Sequence, residues 1–203
     1  MNEVGADELS EFARRVLGDR GAAEEAVATV VGAKRAHGLD EIVALAQVCR
    51  ELPDSFVPAE ERPFGMSEGG SLAASVAVEL DGANAALTRR QREILALREL
   101  LGLTYDEISA VIGLELEAVC ALLARGRLQF RAKLRSVSSD ADEEECPDRD
   151  QALQLLARGL DREPVPEDDV NWLFAHIAGC EGCQCAHSEM HEASVVYRAW
   201  VWR

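Results

Sequence analysis

Residues 176–185 read HIAGCEGCQC and place His176, Cys180 and Cys183 within one short stretch. Imidazole nitrogen and thiolate sulfur are the ligands that zinc takes in tetrahedral sites. The C-x-x-C turn lets two thiolates close on one cation, and the histidine supplies a third ligand. The fourth must come from elsewhere; Cys185 and His187 stand nearby. The competing reading is a set of reduced, metal-free cysteines.

The flanking sequence must hold these groups in place. Pro164, Pro166 and the acids Glu167, Asp168 and Asp169 form a helix start, because acids in the first turn suit the helix dipole. Val170, Leu173 and Ile177 fall on one face of that helix, His176 in its last turn, and Gly179 at its end. Cys49 and Cys120 lie on apolar helical faces and read as small fillers. His37 and His191 have no evident partner in the sequence.

The chain has 203 residues, 48% hydrophobic and only 5% aromatic, so its core must be aliphatic. Ala, Leu, Glu and Arg dominate, which favours helices. The net charge of -16 is unevenly spread. Residues 1–86 carry 7 basic and 16 acidic groups, residues 87–135 carry 9 and 6, and residues 136–203 carry 5 and 15. Only the middle segment is net positive. An acidic whole argues against tight non-specific nucleic-acid binding, while a basic island between acidic flanks can bind DNA or its own flanks. No apolar run reaches the roughly 18 residues of a membrane span. The acidic N-terminus is no secretory signal. A cytoplasmic protein with no membrane partner is expected, and in that compartment the six cysteines read as thiols or metal ligands.

Helical periodicity runs through residues 6–52, with breaks at Gly18, Gly21 and Gly38. Prolines and glycines from Pro53 to Gly70 interrupt it, and a linker with a short helix near Leu72–Leu80 follows. Thr88 with Gln91, and Thr104 with Glu107, form capping boxes that each open an apolar-periodic segment. Gly102 closes the first of these helices. Gly113 separates a short helix, 105–112, from a longer one beginning near Leu116. Ile108, Val111, Ile112, Leu114, Val119 and Leu123 are spaced to pack this pair on a preceding helix, as in a helix-turn-helix. Residues 136–145, SVSSDADEEE, form an acidic joint.

The stretch LTRRQREILALRELLGLTYDEISAVIGL resembles region 4, the promoter-binding domain of bacterial extracytoplasmic-function sigma factors. FARRVLGDRGAAEEAVATVV resembles the start of their region 2. LARGLDREPVPEDDVNWLFAHIAGCEGC resembles the zinc-binding anti-sigma domain that commonly inhibits such factors. That last resemblance implies a fourth ligand about thirty residues upstream of the motif, where Cys146 stands, giving a structural Zn2+ held by Cys146, His176, Cys180 and Cys183. With four protein ligands no open position remains for catalysis.

Two departures bear on function. Where the family's second helix carries polar outward residues, this chain has Ala118, Cys120, Ala121, Leu122 and Ala124, preceded by Glu115 and Glu117. Such side chains make no base or phosphate contacts, and an apolar outward face suits a protein partner. Arg125, Arg127, Arg131 and Lys133, with Arg135, remain as candidate DNA contacts, and Ala118, Ala121 and Leu122 as candidate partner contacts. In the region 2-like part no aromatic lies between Phe12 and Phe56, so nothing there can stack on flipped bases. The tail, with Tyr197, Trp200 and Trp202, is either a terminal helix packed on its own domain or an aromatic anchor for a neighbouring domain or partner.

The expectation is therefore an all-α protein of small helical modules. Residues 1–53 form a reduced region 2-like domain, 54–86 a linker and 87–135 a region 4-like helix-turn-helix. Residues 136–145 form an acidic linker and 146–203 a zinc-binding anti-sigma-like domain. No phosphate-cradling glycine loop or nucleophile–base pair is present, so no enzyme is expected. The resemblance implies RNA polymerase core and promoter DNA as partners, with the zinc domain folding back on the helix-turn-helix. The alternative is an adaptor that keeps the sigma shape but binds a protein.

Overall fold

The computed structural model describes residues 4–30, 36–53, 72–135 and 146–200. Their ten helices confirm the all-α class. They are α1 (Ala6–Leu17), α2 (Arg20–Val30), α3 (Leu39–Glu51), α4 (Leu72–Ala85), α5 (Arg89–Glu99), α6 (Tyr105–Ile112), α7 (Leu116–Leu134), α8 (Arg149–Leu160), α9 (Glu167–Gly179) and α10 (Glu181–Ala199). Two short strands, β1 (Val4–Gly5) and β2 (Ala36–His37), pair antiparallel with Val4 opposite His37. Nothing in the alternation of the sequence announces a pairing this brief.

Local chemistry explains the helix boundaries in the middle of the chain. The Thr88 hydroxyl accepts from the Gln91 amide at 3.3 Å, and the Gln91 side chain accepts from the Thr88 N–H at 2.9 Å. Thr104 and Glu107 repeat the exchange at the start of α6. Gly113 ends α6 at φ +67°, a left-handed conformation that side-chain-bearing residues adopt at a cost.

The short helix expected near Leu72–Leu80 within the linker is present as α4, which is longer, packs on α7 and contributes Leu80 and Ala83 to the core. Glycines and small residues made this segment look loose, but burial against α7 supplies what its propensity lacks.

Among the described residues, the segments 1–53 and 87–135 share one core. Leu9, Phe12, Val16, Ile42 and Leu45 share one apolar cluster with Ile94, Leu97, Ile108 and Phe130. Helix α1 packs on α5, and α3 on α6. Polar groups fix the seam: buried Arg92 donates to the Val16 carbonyl at 3.1 Å, and Arg50 donates to Glu93 at 2.8 Å. A second, smaller cluster joins Ala124 of α7 to Leu153, Leu156 and Ala157 of α8 and to Ala186 and Met190 of α10.

Candidate functional site

Cys146 precedes α8, His176 sits in the last turn of α9, and Cys180 and Cys183 open α10. The Cys146 sulfur lies 3.4 Å from His176 Nε2, which lies 3.4 Å from the Cys183 sulfur. The two sulfurs are 3.9 Å apart. All four ligand atoms fall within 4.8 Å of one another. Tetrahedral zinc, with bonds of about 2.3 Å to sulfur and 2.0 Å to nitrogen, needs edges of about 3.5–3.8 Å. The Cys3His group therefore fits a metal ion in both ligand type and spacing. Cys185 and His187 are exposed and stand outside this group.

The surroundings prepare these ligands. Trp172 stacks on the His176 ring at 5.0 Å and 13°, which fixes the imidazole plane. The backbone N–H of Cys183 holds the Cys180 thiol below its ordinary value. Burial pushes the Cys183 thiol up to about 12, with its sulfur neighbours adding to the rise. A bound cation favours deprotonation of both thiols.

The unit carrying this centre lies against α7, the second helix of the helix-turn-helix. Helices α8 and α10 both pack along it. Leu116, Glu117 and Cys120 at its start line a cleft of ≈ 210 Å³ shared with Gln151, Gln154 and Arg158 of α8. The arginines among the candidate DNA contacts are engaged within the chain. Arg125 pairs with Asp150 at 3.1 Å, Arg131 pairs with Glu192, and Arg135 pairs with Glu189 at 2.8 Å. Lys133 is exposed.

Arg127 is a correction. Its side chain is 1% exposed and turns inward, so it cannot reach a DNA backbone in this conformation. Its guanidinium donates to Glu99 at 2.6 Å and to Asp161 at 2.8 Å. Glu99 also accepts from Ser194 at 2.8 Å and Arg198 at 2.5 Å, both of α10. Asp161 accepts from the Tyr105 hydroxyl at 2.7 Å and pairs with Arg98 at 3.3 Å. Arg162, in the left-handed region at φ 58°, turns the chain so that Asp161 and Glu163 both face Arg98. Periodicity offered no signal for this network, since its acids and bases lie 28 and 34 positions apart.

Of the candidate partner contacts, Ala118, Ala121 and Leu122 are half-buried on α7. At 4% exposure Trp200 anchors α10 on α1 and α7, the neighbouring-domain alternative for the tail, and presents nothing to an outside partner. Trp202 lies outside the described residues.

Residues 77–130 match the family described as Sigma-70, region 4. The match covers most of α4, all of α5 and α6, and α7 as far as Phe130. That segment is thus similar to the helix-turn-helix of sigma region 4, a likeness that supports a sigma-factor-like role in transcription initiation. No curated protein and no solved structure matches the chain.

Proposed function

We propose that the chain is a sigma-factor-like transcription regulator whose helix-turn-helix is restrained by a fused, zinc-binding C-terminal unit. RNA polymerase core and promoter DNA are its partners at initiation. Residues 1–53 serve as a reduced region 2-like module, 87–135 as the region 4-like module and 146–203 as the anti-sigma-like module. One observation carries the reading: the acids Asp150, Glu189 and Glu192 of the C-terminal unit sit on the α7 arginines that phosphate would otherwise engage. Carboxylates and phosphates compete for the same guanidinium groups.

Cys146, His176, Cys180 and Cys183 would hold the zinc, which closes the small α8–α10 unit and leaves no position open for catalysis. The cation's task is structural: it ties α9 and the start of α10 to the segment preceding α8.

A second reading, a non-DNA-binding adaptor, is favoured by Glu115, Glu117 and the half-buried Ala118, Ala121 and Leu122. A single comparison separates the two. The full chain and an Asp150→Asn/Glu189→Gln/Glu192→Gln variant are titrated with duplex DNA and with RNA polymerase core. Salt-dependent DNA binding that emerges or strengthens in the variant supports the restrained sigma-like reading. Polymerase binding with no DNA binding by either protein supports the adaptor.

A further inference from the structure

Helix α10 ends on a site made by other parts of the chain. Arg15 of α1 is 1% exposed although it carries a full charge. Its guanidinium donates to the Tyr197 carbonyl at 2.7 Å and to the Trp200 carbonyl. The carbonyls of a helix's last turn have no partner within the helix, so Arg15 caps α10 from outside. The same guanidinium lies 4.6 Å from the centre of the Tyr197 ring and 4.4 Å from that of Trp200. Phe130 of α7 meets Tyr197 edge-on at 5.2 Å and stacks on Trp200 at 6.4 Å. Asn84 of α4 is 0% exposed; it donates to the Arg15 carbonyl at 2.9 Å and accepts from the Tyr197 hydroxyl at 3.5 Å.

Three elements from the first two-thirds of the chain thus build a receptor, and the last turn of α10 fills it. We propose that the Arg15–Asn84–Phe130 site recognises a helix end with an aromatic pair and free carbonyls, and that residues 194–200 are its detachable internal ligand. This deepens the restrained-helix reading and rests on it for its regulatory consequence: a second lock, on α1, separate from the lock on α7. The contacts suit detachment. Among its described partners Arg15 meets α10 through carbonyls and ring faces and keeps Glu11, 3.0 Å away on its own helix, as a charge partner. Departure of the aromatic end therefore leaves Arg15 paired with Glu11, while Glu99, which gives up Ser194 and Arg198, keeps Arg127 as its buried charge partner. A partner helix with the same terminal chemistry could then take the vacated place.

Hydrogen exchange on the full, metal-loaded chain tests this. Trp200→Ala and Arg15→Gln should each speed exchange about tenfold in residues 9–17 and in 194–200 together, while α9 and the start of α10 stay protected. Arg15→Lys, which keeps the charge and can still reach one carbonyl, should recover part of the protection. Adding a synthetic peptide of residues 188–200 to the Trp200→Ala protein should restore protection to residues 9–17. The proposal is overturned if exchange rises only at 197–200, if it rises equally throughout the chain, or if the peptide at saturation restores nothing. Exchange does not depend on DNA, so absence of promoter binding would sink the functional reading and leave this result standing.

Discussion

The Arg127 guanidinium and the Glu99 carboxylate meet at 2.6 Å with both side chains shut off from solvent. Burial alone would disfavour the charge on Arg127; the carboxylates of Glu99 and Asp161 more than offset that and hold it firmly protonated. Removing one member of a buried pair costs about 3–5 kcal/mol, here towards the lower end because Glu99 keeps Arg198 and Asp161 keeps Arg98. Arg127→Met should lower unfolding stability by that order in denaturant titration. Arg125→Ala breaks an exposed pair with Asp150 and should change stability by about 0.5 kcal/mol or less. Equal losses in the two variants would show that Arg127 is not the buried keystone described here.

Salt should report on the covering of α7. In the Glu189→Gln/Glu192→Gln protein, Arg131 and Arg135 lose their carboxylate partners and become available to phosphate. Each phosphate contact adds about 0.9 to the slope of log affinity against log salt, so the slope should steepen by about 2. An unchanged slope in fluorescence-anisotropy titrations would mean that the acids do not gate these arginines.

Metal content is directly measurable. One zinc per chain is expected by elemental analysis, lost on substituting Cys180 and Cys183 by serine. Trp172 lies against His176, so chelation should change its emission. Circular dichroism should show loss of helix confined largely to α8, α9 and the start of α10, because α5, α6 and the last turns of α10 rest in the other apolar cluster. Retention of the full helical signal after complete metal removal would contradict the structural assignment.

Alkaline pH should destabilise the fold through its tyrosines. The chain has two, Tyr105 and Tyr197, and both are buried. Burial pushes Tyr197 up to about 12, and burial followed by the Asp161 charge pushes Tyr105 further up. A phenol whose folded value exceeds its unfolded value of about 10 stabilises fully below pH 10 and loses that contribution as pH climbs through the folded value. Stability should therefore fall between about pH 10 and pH 12, with phenolate absorbance appearing together with unfolding. Phenolate formation in the intact fold near pH 10 would refute this.

The helix-turn-helix depends on its local signals. Thr104→Ala removes the hydroxyl that caps α6 and should cost about 1 kcal/mol. Gly113→Ala places a side chain at φ +67° and should cost about 1–2 kcal/mol. Thermal melts of the two variants against the parent give both values.

Much of this protein is fixed by short-range chemistry, which a sequence displays. Capping boxes at Thr88 and Thr104, the left-handed Gly113 and the 3.6-residue apolar period define α5 to α7 before any packing is known. The H-x-x-x-C-x-x-C spacing marks three ligands for the same reason: the geometry of one helix end and one turn brings them together. The direction an arginine faces is a different matter. Arg125, Arg127 and Arg131 look alike along α7, yet one is buried and two are paired at the surface. Asp161 decides this for Arg127 from 34 positions away, and Arg15 settles the place of Trp200 from 185. The fusion of the first helices with α5 and α6 into one core is likewise a matter of which apolar faces meet. Periodicity shows that a face is apolar; only the folded chain selects the partner that covers it, because hydrophobic attraction carries no direction of its own.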